Sequence, residues 1–149
     1  MAWSEPKSGT NSAPLFLDRI DIQCEITPVP FKGISKAAQG EPSAEIRKRV
    51  IRAREIQAER FSGQKGIHCN AQMSERMIHQ YAEPDEAGIS MLRMAMERLS
   101  LSARAYNRIL KVARTIADLE GCEHVESHHL AEAIGYRTLD RGDWAERGI

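Results

Sequence analysis

The sequence predicts a mainly α-helical protein, a helical bundle preceded by a long helix and one orphan β-strand. Apolar residues recur at steps of three and four through most of the chain beyond Ser43. Serines stand where several of these segments begin, and Gly121 stands where the clearest one ends. The connections between periodic segments are short from Ser74 onward, which is typical of a bundle.

Composition limits the classes of function. The 149 residues have room for one domain, and 21 Lys plus Arg balance 21 Asp plus Glu. Because the formal net charge is zero, the chain as a whole has no excess positive charge that would attract nucleic acid. One face of the protein could still be basic. There is no apolar run long enough for a membrane span or a signal peptide, and the three cysteines are far apart. We therefore expect a cytoplasmic protein with no membrane partner and no disulfide framework.

The first part of the chain changes character twice. Residues 1–14 are rich in Ser, Pro, Gly and Asn, which predicts a disordered leader. Alternation of apolar and polar residues then predicts a β-strand with one buried face. That face consists of Ile20, Ile22, Cys24 and Ile26, and Cys24 is expected to be a small buried hydrophobe. Because a lone strand cannot satisfy its backbone groups, either a sheet has been lost or the strand pairs with another copy. Prolines and glycines then predict a linker over 27–42.

A long charged helix is predicted over Ser43 to Phe61, with Ser43 as its N-cap. Its inner stripe consists of Ile46, Val50, Ala53 and Gln57. The other faces are crowded with basic residues that could follow a phosphate backbone, including Arg47, Lys48, Arg52 and Arg54. Interleaved glutamates favour instead a solvated helix with ion pairs one turn apart.

Four further helices are predicted. One begins at Ser74, and one follows Glu83 with Pro84 in its first turn and runs to Leu99. Several methionines crowd the latter helix, so some must be exposed on a surface that another part of the protein covers. A last helix begins near Ser127, and the polar tail over 142–149 should fray.

The clearest helix lies between Leu101 and Gly121, with Ser102 as N-cap and Gly121 as C-cap. Its predicted buried stripe is Ala105, Ile109, Val112, Ile116 and Leu119. Arg104 falls in the first turn, where the helix dipole disfavours a cation. Such an arginine points away from the helix or towards an anion such as a phosphate.

The histidines near Cys122 do not predict a metal site. Ser127 should cap the last helix and so leave His124 outside it, and no second ligand pair has metal spacing. We expect His124, His128 and His129 to be exposed or to cap the helix. No Ser/His/Asp or Cys/His spacing argues for nucleophilic catalysis either.

Three segments resemble one family. Leu17-Asp-Arg-Ile-Asp21 resembles a box of the Mg-chelatase-like branch of AAA+ ATPases. Glu45-Ile-Arg, Ala53-Arg-Glu-Ile-Gln57 and Asn70-Ala resemble the segment that follows it in the competence-associated ComM (YifB) type. Ser102-Ala-Arg-Ala-Tyr-Asn-Arg, extended to Leu119, and Ala131-Glu-Ala-Ile-Gly-Tyr-Arg137 resemble the helical lid of the same family. The resemblance covers about residues 15–141.

The resemblance implies an ATP-driven ring protein, hexameric in this family, that acts on DNA by branch migration. It assigns Arg19 to contact with a neighbour's nucleotide and Arg104 to sensing the γ-phosphate. Both roles suit a guanidinium, which is always charged and offers a fork of donors. ATP and Mg²⁺ are then cofactors of the parent protein, and its partners are the missing AAA+ core, neighbouring subunits and DNA.

The departures from the family pattern matter as much. No Gly-x-x-x-x-Gly-Lys-[Ser/Thr] loop occurs, and no apolar strand ends in paired acidic residues. We therefore expect residues 15–42 to be a core remnant and linker, and 43–141 a lid domain that does not hydrolyse ATP alone and holds no cofactor. The alternative is a stand-alone helical module that binds DNA or a protein. An in-frame coding sequence for a Walker-type core directly upstream would favour the hypothesis of a lid domain over that of a stand-alone module.

Overall fold

The computed structural model describes residues 19–24, 26 and 40–137. The predicted leader, most of the linker and the tail lie outside these residues. The described part contains five α-helices and one 3₁₀ turn, namely α1 (Ser43–Arg60), the turn Asn70–Gln72, α2 (Glu75–Tyr81), α3 (Glu86–Leu99), α4 (Ala103–Glu120) and α5 (Ser127–Gly135). Among them, no helix is both long enough and apolar enough to cross a membrane.

Helix α4 is the centre of the fold. It packs against α1, α2, α5 and the 3₁₀ turn, while α3 packs against α5. Both predicted ends of α4 are confirmed. The Ser102 hydroxyl accepts the amide proton of Ala105 at 3.1 Å. Gly121 closes the helix with φ of 75°, a left-handed conformation that glycine adopts without strain.

The buried face of α4 is broader than the predicted stripe. Ala105, Ile109 and Ile116 are buried, whereas Leu119 is 37% exposed, so its prediction as a core residue is wrong. Partners on several sides bury additional residues of α4, including Leu110, Ala113 and Ala117. Full burial of a leucine or isoleucine side chain contributes about 1.5–3 kcal/mol relative to exposure, and the smaller alanines contribute less.

Only the second half of α1 joins the core. Ala53 and Gln57 are buried as predicted, but Ile46 and Val50 are each more than 40% exposed. The buried members of the stripe thus lie only in the half of α1 nearer its C-terminus. The N-cap is Pro42 rather than Ser43, and Pro42 has no side-chain acceptor for the first amides.

The described residues of the segment from Ile20 to Ile26 do not form the predicted strand. Residues 20–24 and 26 have no strand conformation, and Gln23 is buried while Ile22 is 52% and Ile26 91% exposed. Cys24 is also exposed, which contradicts its predicted role as a buried hydrophobe. No strand lies beside this segment among the described residues. The backbone amide of Gln23 instead donates to the backbone carbonyl of Tyr136 at 3.0 Å.

The remaining helix starts follow local capping chemistry. Ser74 caps α2 as predicted, since its hydroxyl accepts from the Met77 amide at 3.4 Å. The prediction for Pro84 is wrong, because α3 begins after the N-cap Asp85, whose carboxylate accepts from the Gly88 amide at 2.7 Å. The N-cap of α5 is Glu126, so the prediction of Ser127 is also wrong.

Candidate functional site

Arg104 stands at the start of α4 without a partner in the described structure. Its side chain is exposed and makes no hydrogen bond or ion pair with a described residue. Because the helix dipole repels a cation in the first turn, nothing within the helix holds this guanidinium. Of the two alternatives that the sequence left open, the structure shows an exposed side chain with no described partner, and a contact with an anion stays a prediction.

Arg104 opens a basic cleft along α4. The cleft has a volume of about 410 Å³ and is lined by Ala103, Arg104, Asn107, Arg108 and Lys111. The three cations follow one another at steps of four and three, so they share one face of the helix. Lys111 is oriented by the 3₁₀ turn, because its ammonium donates to the Ala71 carbonyl at 2.9 Å. Sequence reasoning missed Arg108 and Lys111, although their spacing from Arg104 is a readable signal.

The backbone of Arg19 lies next to this cleft. The Arg108 guanidinium donates to the Arg19 carbonyl at 2.7 Å and also binds the Asp21 carboxylate. Arg19 itself is exposed. The structure thus brings the backbone of Arg19 to Arg108, which lines the cleft together with Arg104.

A second groove lies between residues 19–24 and the helices α4 and α5. Its volume is about 380 Å³ and its lining is mostly apolar, with Ile22, Val112, Ile116, Leu119 and Tyr136 among the lining side chains. The Arg108–Asp21 ion pair forms one part of its wall. This groove explains why Leu119 is exposed although it belongs to the apolar stripe.

The basic residues of α1 form a separate surface. Arg47, Lys48, Arg52 and Arg54 are all exposed. Lys48 pairs with Glu45 at 2.7 Å, which agrees with the predicted solvated helix. Arg54 lines a different groove from Arg104, formed by α1, the 3₁₀ turn and α4. The structure therefore does not place these four residues in the cleft of Arg104.

A buried polar network joins α1 to α4, and sequence reasoning missed it. The Asp118 carboxylate accepts from the Arg60 guanidinium at 2.5 and 2.8 Å, from the Asn70 amide at 2.7 Å and from Arg114 Nε at 3.1 Å. Burial raises the pKa of Asp118, but the hydrogen bonds and the two cations outweigh it and hold the pKa below its usual range. Burial also lowers the pKa of Arg114. The network joins the end of α1 and the 3₁₀ turn to the last turn of α4.

His128 and His129 lie in the first turn of α5. The Glu120 carboxylate contacts His128 Nε2 at 2.9 Å and His129 Nε2 at 3.1 Å. Cys122 contributes a sulfur within 4.8 Å of the Glu120 and His129 ligand atoms. However, His129 Nδ1 accepts the Glu126 amide proton at 2.9 Å, so Nε2 carries the ring proton and donates to Glu120. No lone pair of this buried ring is then left for a metal, and His129 caps the helix as predicted.

Comparison with known proteins shows the family to which the chain belongs. Residues 40–137 match the family described as magnesium chelatase, subunit ChlI C-terminal. The chain is 41% identical over 127 residues to the competence protein ComM of Haemophilus influenzae, covering 85% of this chain and 24% of the relative. It is 44% identical over 128 residues to the uncharacterized protein YifB of Salmonella typhimurium, again covering 85% and 24%.

The YifB protein of Escherichia coli is 39% identical over 128 residues, with coverage of 85% and 24%. The chain therefore spans about a quarter of the length of these curated relatives, and it matches the C-terminal part of ComM. The family match includes all five helices and the basic cleft. The chain belongs to the family of the magnesium chelatase ChlI C-terminal domain, of the kind found in ComM-type proteins.

Proposed function

We propose that this chain is the helical lid of a cytoplasmic, ATP-driven AAA+ ring protein of the ComM type. In this role it senses nucleotide through Arg104 and Arg19 and contacts neighbouring subunits of a hexameric ring. The main support for the proposal is that Arg104 lines one end of the basic cleft and has no partner among the described residues. The match of residues 40–137 to this family is the second support. Branch migration on DNA is the proposed activity of the whole ring.

The chemistry of the cleft fits one end of a nucleotide. Guanidinium and ammonium groups bind phosphate oxygens, and an arginine stabilises the charge that develops on a transferring phosphoryl group. The lining residues of the cleft include no carboxylate that could coordinate Mg²⁺. The proposed division of labour is therefore that the lid supplies cations, while the core of the ring supplies the phosphate loop and the metal ligands. The chain alone should not hydrolyse ATP.

The test requires a complete ring. Residues 15–141 of this chain would replace the matching C-terminal segment of the full-length Haemophilus influenzae relative, and steady-state ATP hydrolysis would be measured. Arg104→Ala and Arg19→Ala should each reduce kcat by about 10²–10³-fold, as the loss of one preorganised donor does. Arg93→Ala, an exposed arginine of α3 outside the cleft, is the control. Unchanged kcat in both cleft variants would refute the proposal.

A second candidate function rests on α1. Its exposed basic residues and its exposed Ile46 and Val50 favour a stand-alone module that binds DNA or an apolar partner. In that case the 149-residue chain should shift a labelled DNA duplex, and combined replacement of Arg47, Lys48, Arg52 and Arg54 by Gln should abolish the shift. Binding that survives the four replacements would exclude α1 as the DNA surface.

A further inference from the structure

Arg108 is the residue through which α4 holds the segment that contains Arg19. One nitrogen of its guanidinium donates to the Arg19 carbonyl at 2.7 Å and also contacts the Asp21 carboxylate. The Arg108 side chain is 26% exposed and that of Asp21 is 55% exposed. Ion pairs of this exposure contribute little to stability, because water screens the charges. A role in orientation is therefore a better account of this contact than a role in folding.

The next residues of the segment are fixed by a different element. The buried guanidinium of Arg137, just beyond α5, donates to the Ile20 carbonyl. The Gln23 amide donates to the Tyr136 carbonyl at 3.0 Å. Arg108 of α4 and the two residues that follow α5 thus hold positions 19, 20, 21 and 23 of an otherwise irregular backbone. Such hydrogen bonds offset the conformational entropy that a non-helical, partly exposed segment loses when it is ordered.

Arg108 also lies on the same face as Arg104. The two residues are four positions apart on α4 and line the same cleft. Residues at this spacing are neighbours on a helix surface, about 5–6 Å apart at Cβ. A contact that fixes the Arg19 backbone on Arg108 therefore also fixes it relative to Arg104.

We infer that Arg108 is a positioning residue that sets the distance between Arg19 and Arg104, so that both guanidinium groups can meet one anionic phosphate. This inference rests on the proposed function, because it assigns both arginines to nucleotide. Arg108 acts through the backbone of Arg19 and through Asp21. The expected consequence of its loss is a misplaced Arg19 in an otherwise intact bundle.

The first experiment uses the 149-residue chain. Arg108→Ala and Asp21→Asn should both accelerate amide hydrogen exchange at Gln23, whose proton is bound to Tyr136, while the core of α4 stays protected. Arg108→Lys keeps a donor and should retain most of the protection. Exchange at Gln23 that is unchanged in Arg108→Ala and in Asp21→Asn would overturn the inference. Asp21→Asn keeps the test valid even if Arg108→Ala fails to fold.

The second experiment uses the full-length chimaera described above. Arg108→Ala should lower kcat for ATP by about 10- to 100-fold with little change in KM, because misplacement of a group by about 1 Å can cost this much. Arg108→Lys should restore part of the rate, and Arg93→Ala should have no effect. A purely structural role would instead lower the amount of assembled ring without changing kcat per ring.

The two experiments separate the inference from the function on which it rests. A chimaera that responds to Arg104→Ala and Arg19→Ala but not to Arg108→Ala would refute the positioning role alone. A chimaera that responds to none of the three would refute both. Faster exchange at Gln23 together with a reduced kcat would support both.

Discussion

Arg114 Nε donates to the Asp118 carboxylate at 3.1 Å, and the two side chains are 2% and 0% exposed. The other nitrogens of Arg114 donate to the Cys122 carbonyl at 2.6 Å and to the Glu123 carbonyl at 2.7 Å. One arginine thus ties the last turn of α4 to the connection that leads to α5. Arg60 from α1 shares the same carboxylate, so Asp118 joins three parts of the chain.

Asp118→Asn should destabilise the chain by about 3–5 kcal/mol, because it leaves two partly or fully buried cations without their anion. The measurement is chemical denaturation at neutral pH. Glu97→Gln, at an exposed position of α3, is the control and should have almost no effect. A denaturation midpoint of Asp118→Asn equal to that of the control would show that the network does not hold the fold.

The same carboxylate predicts loss of stability in acid. Its pKa is lowered in the folded state, so its contribution is complete above the pKa of an unfolded Asp, about 3.9, and is lost as pH falls through the folded pKa. The free energy of unfolding should therefore decrease below about pH 4 in the wild-type chain. The decrease should be smaller in Asp118→Asn. Parallel pH profiles for the two proteins would contradict this assignment.

His128 should titrate above its ordinary pKa. Its hydrogen bond to Glu120 raises the pKa of the ring, aided by the charges of Glu120, Glu126 and Glu132, and the same bond lowers the pKa of Glu120. The pair is therefore fully formed between the two pKa values. Its contribution is lost as pH rises through the folded pKa of His128 and as pH falls through that of Glu120. NMR titration of His128 in wild type and Glu120→Gln measures this, and equal pKa values would contradict it.

Gly88→Ala should cost about 1–3 kcal/mol, because an added Cβ would meet Leu130 Cδ1 at 2.7 Å and Pro84 Cβ at 2.8 Å. The matched control is Gly135→Ala at the end of α5, where an added Cβ would meet no atom of the described residues within 4 Å. That change should be neutral or stabilise by up to about 1 kcal/mol, because alanine has the higher helix propensity. Thermal unfolding compares the two. Equal effects would mean that the α3–α5 contact can adjust around the added methyl group.

Arg104→Ala should leave the fold intact. The side chain is exposed and has no partner in the described structure, so the free energy of unfolding should change by less than about 0.5 kcal/mol. The 149-residue chain should also bind ATP with Mg²⁺ only very weakly in calorimetric titration, because exposed ion pairs contribute about 0–1 kcal/mol. Micromolar affinity of the isolated chain, or unfolding by Arg104→Ala, would contradict this view of the cleft.

The sequence by itself determined the helices whose signals are local. Ser102 and Gly121 marked the ends of α4, and Ser74 marked the start of α2, because a cap bonds to backbone groups within one turn. The unusual place of Arg104 was also readable, since the dipole of a helix depends only on its own direction. The family resemblance followed from these same segments, and residues 40–137 do match that family.

Only the tertiary structure decided which residues share a core or a cleft. The partners Arg60 and Asp118 are 58 positions apart, and Arg108 and Arg19 are 89 apart, so no local pattern indicates that they meet. The prediction of a strand from Ile20 to Ile26 was wrong for the same reason. An alternating pattern gives a strand only when a second strand is available, and here α4 and the two residues that follow α5 supply the hydrogen-bond partners instead.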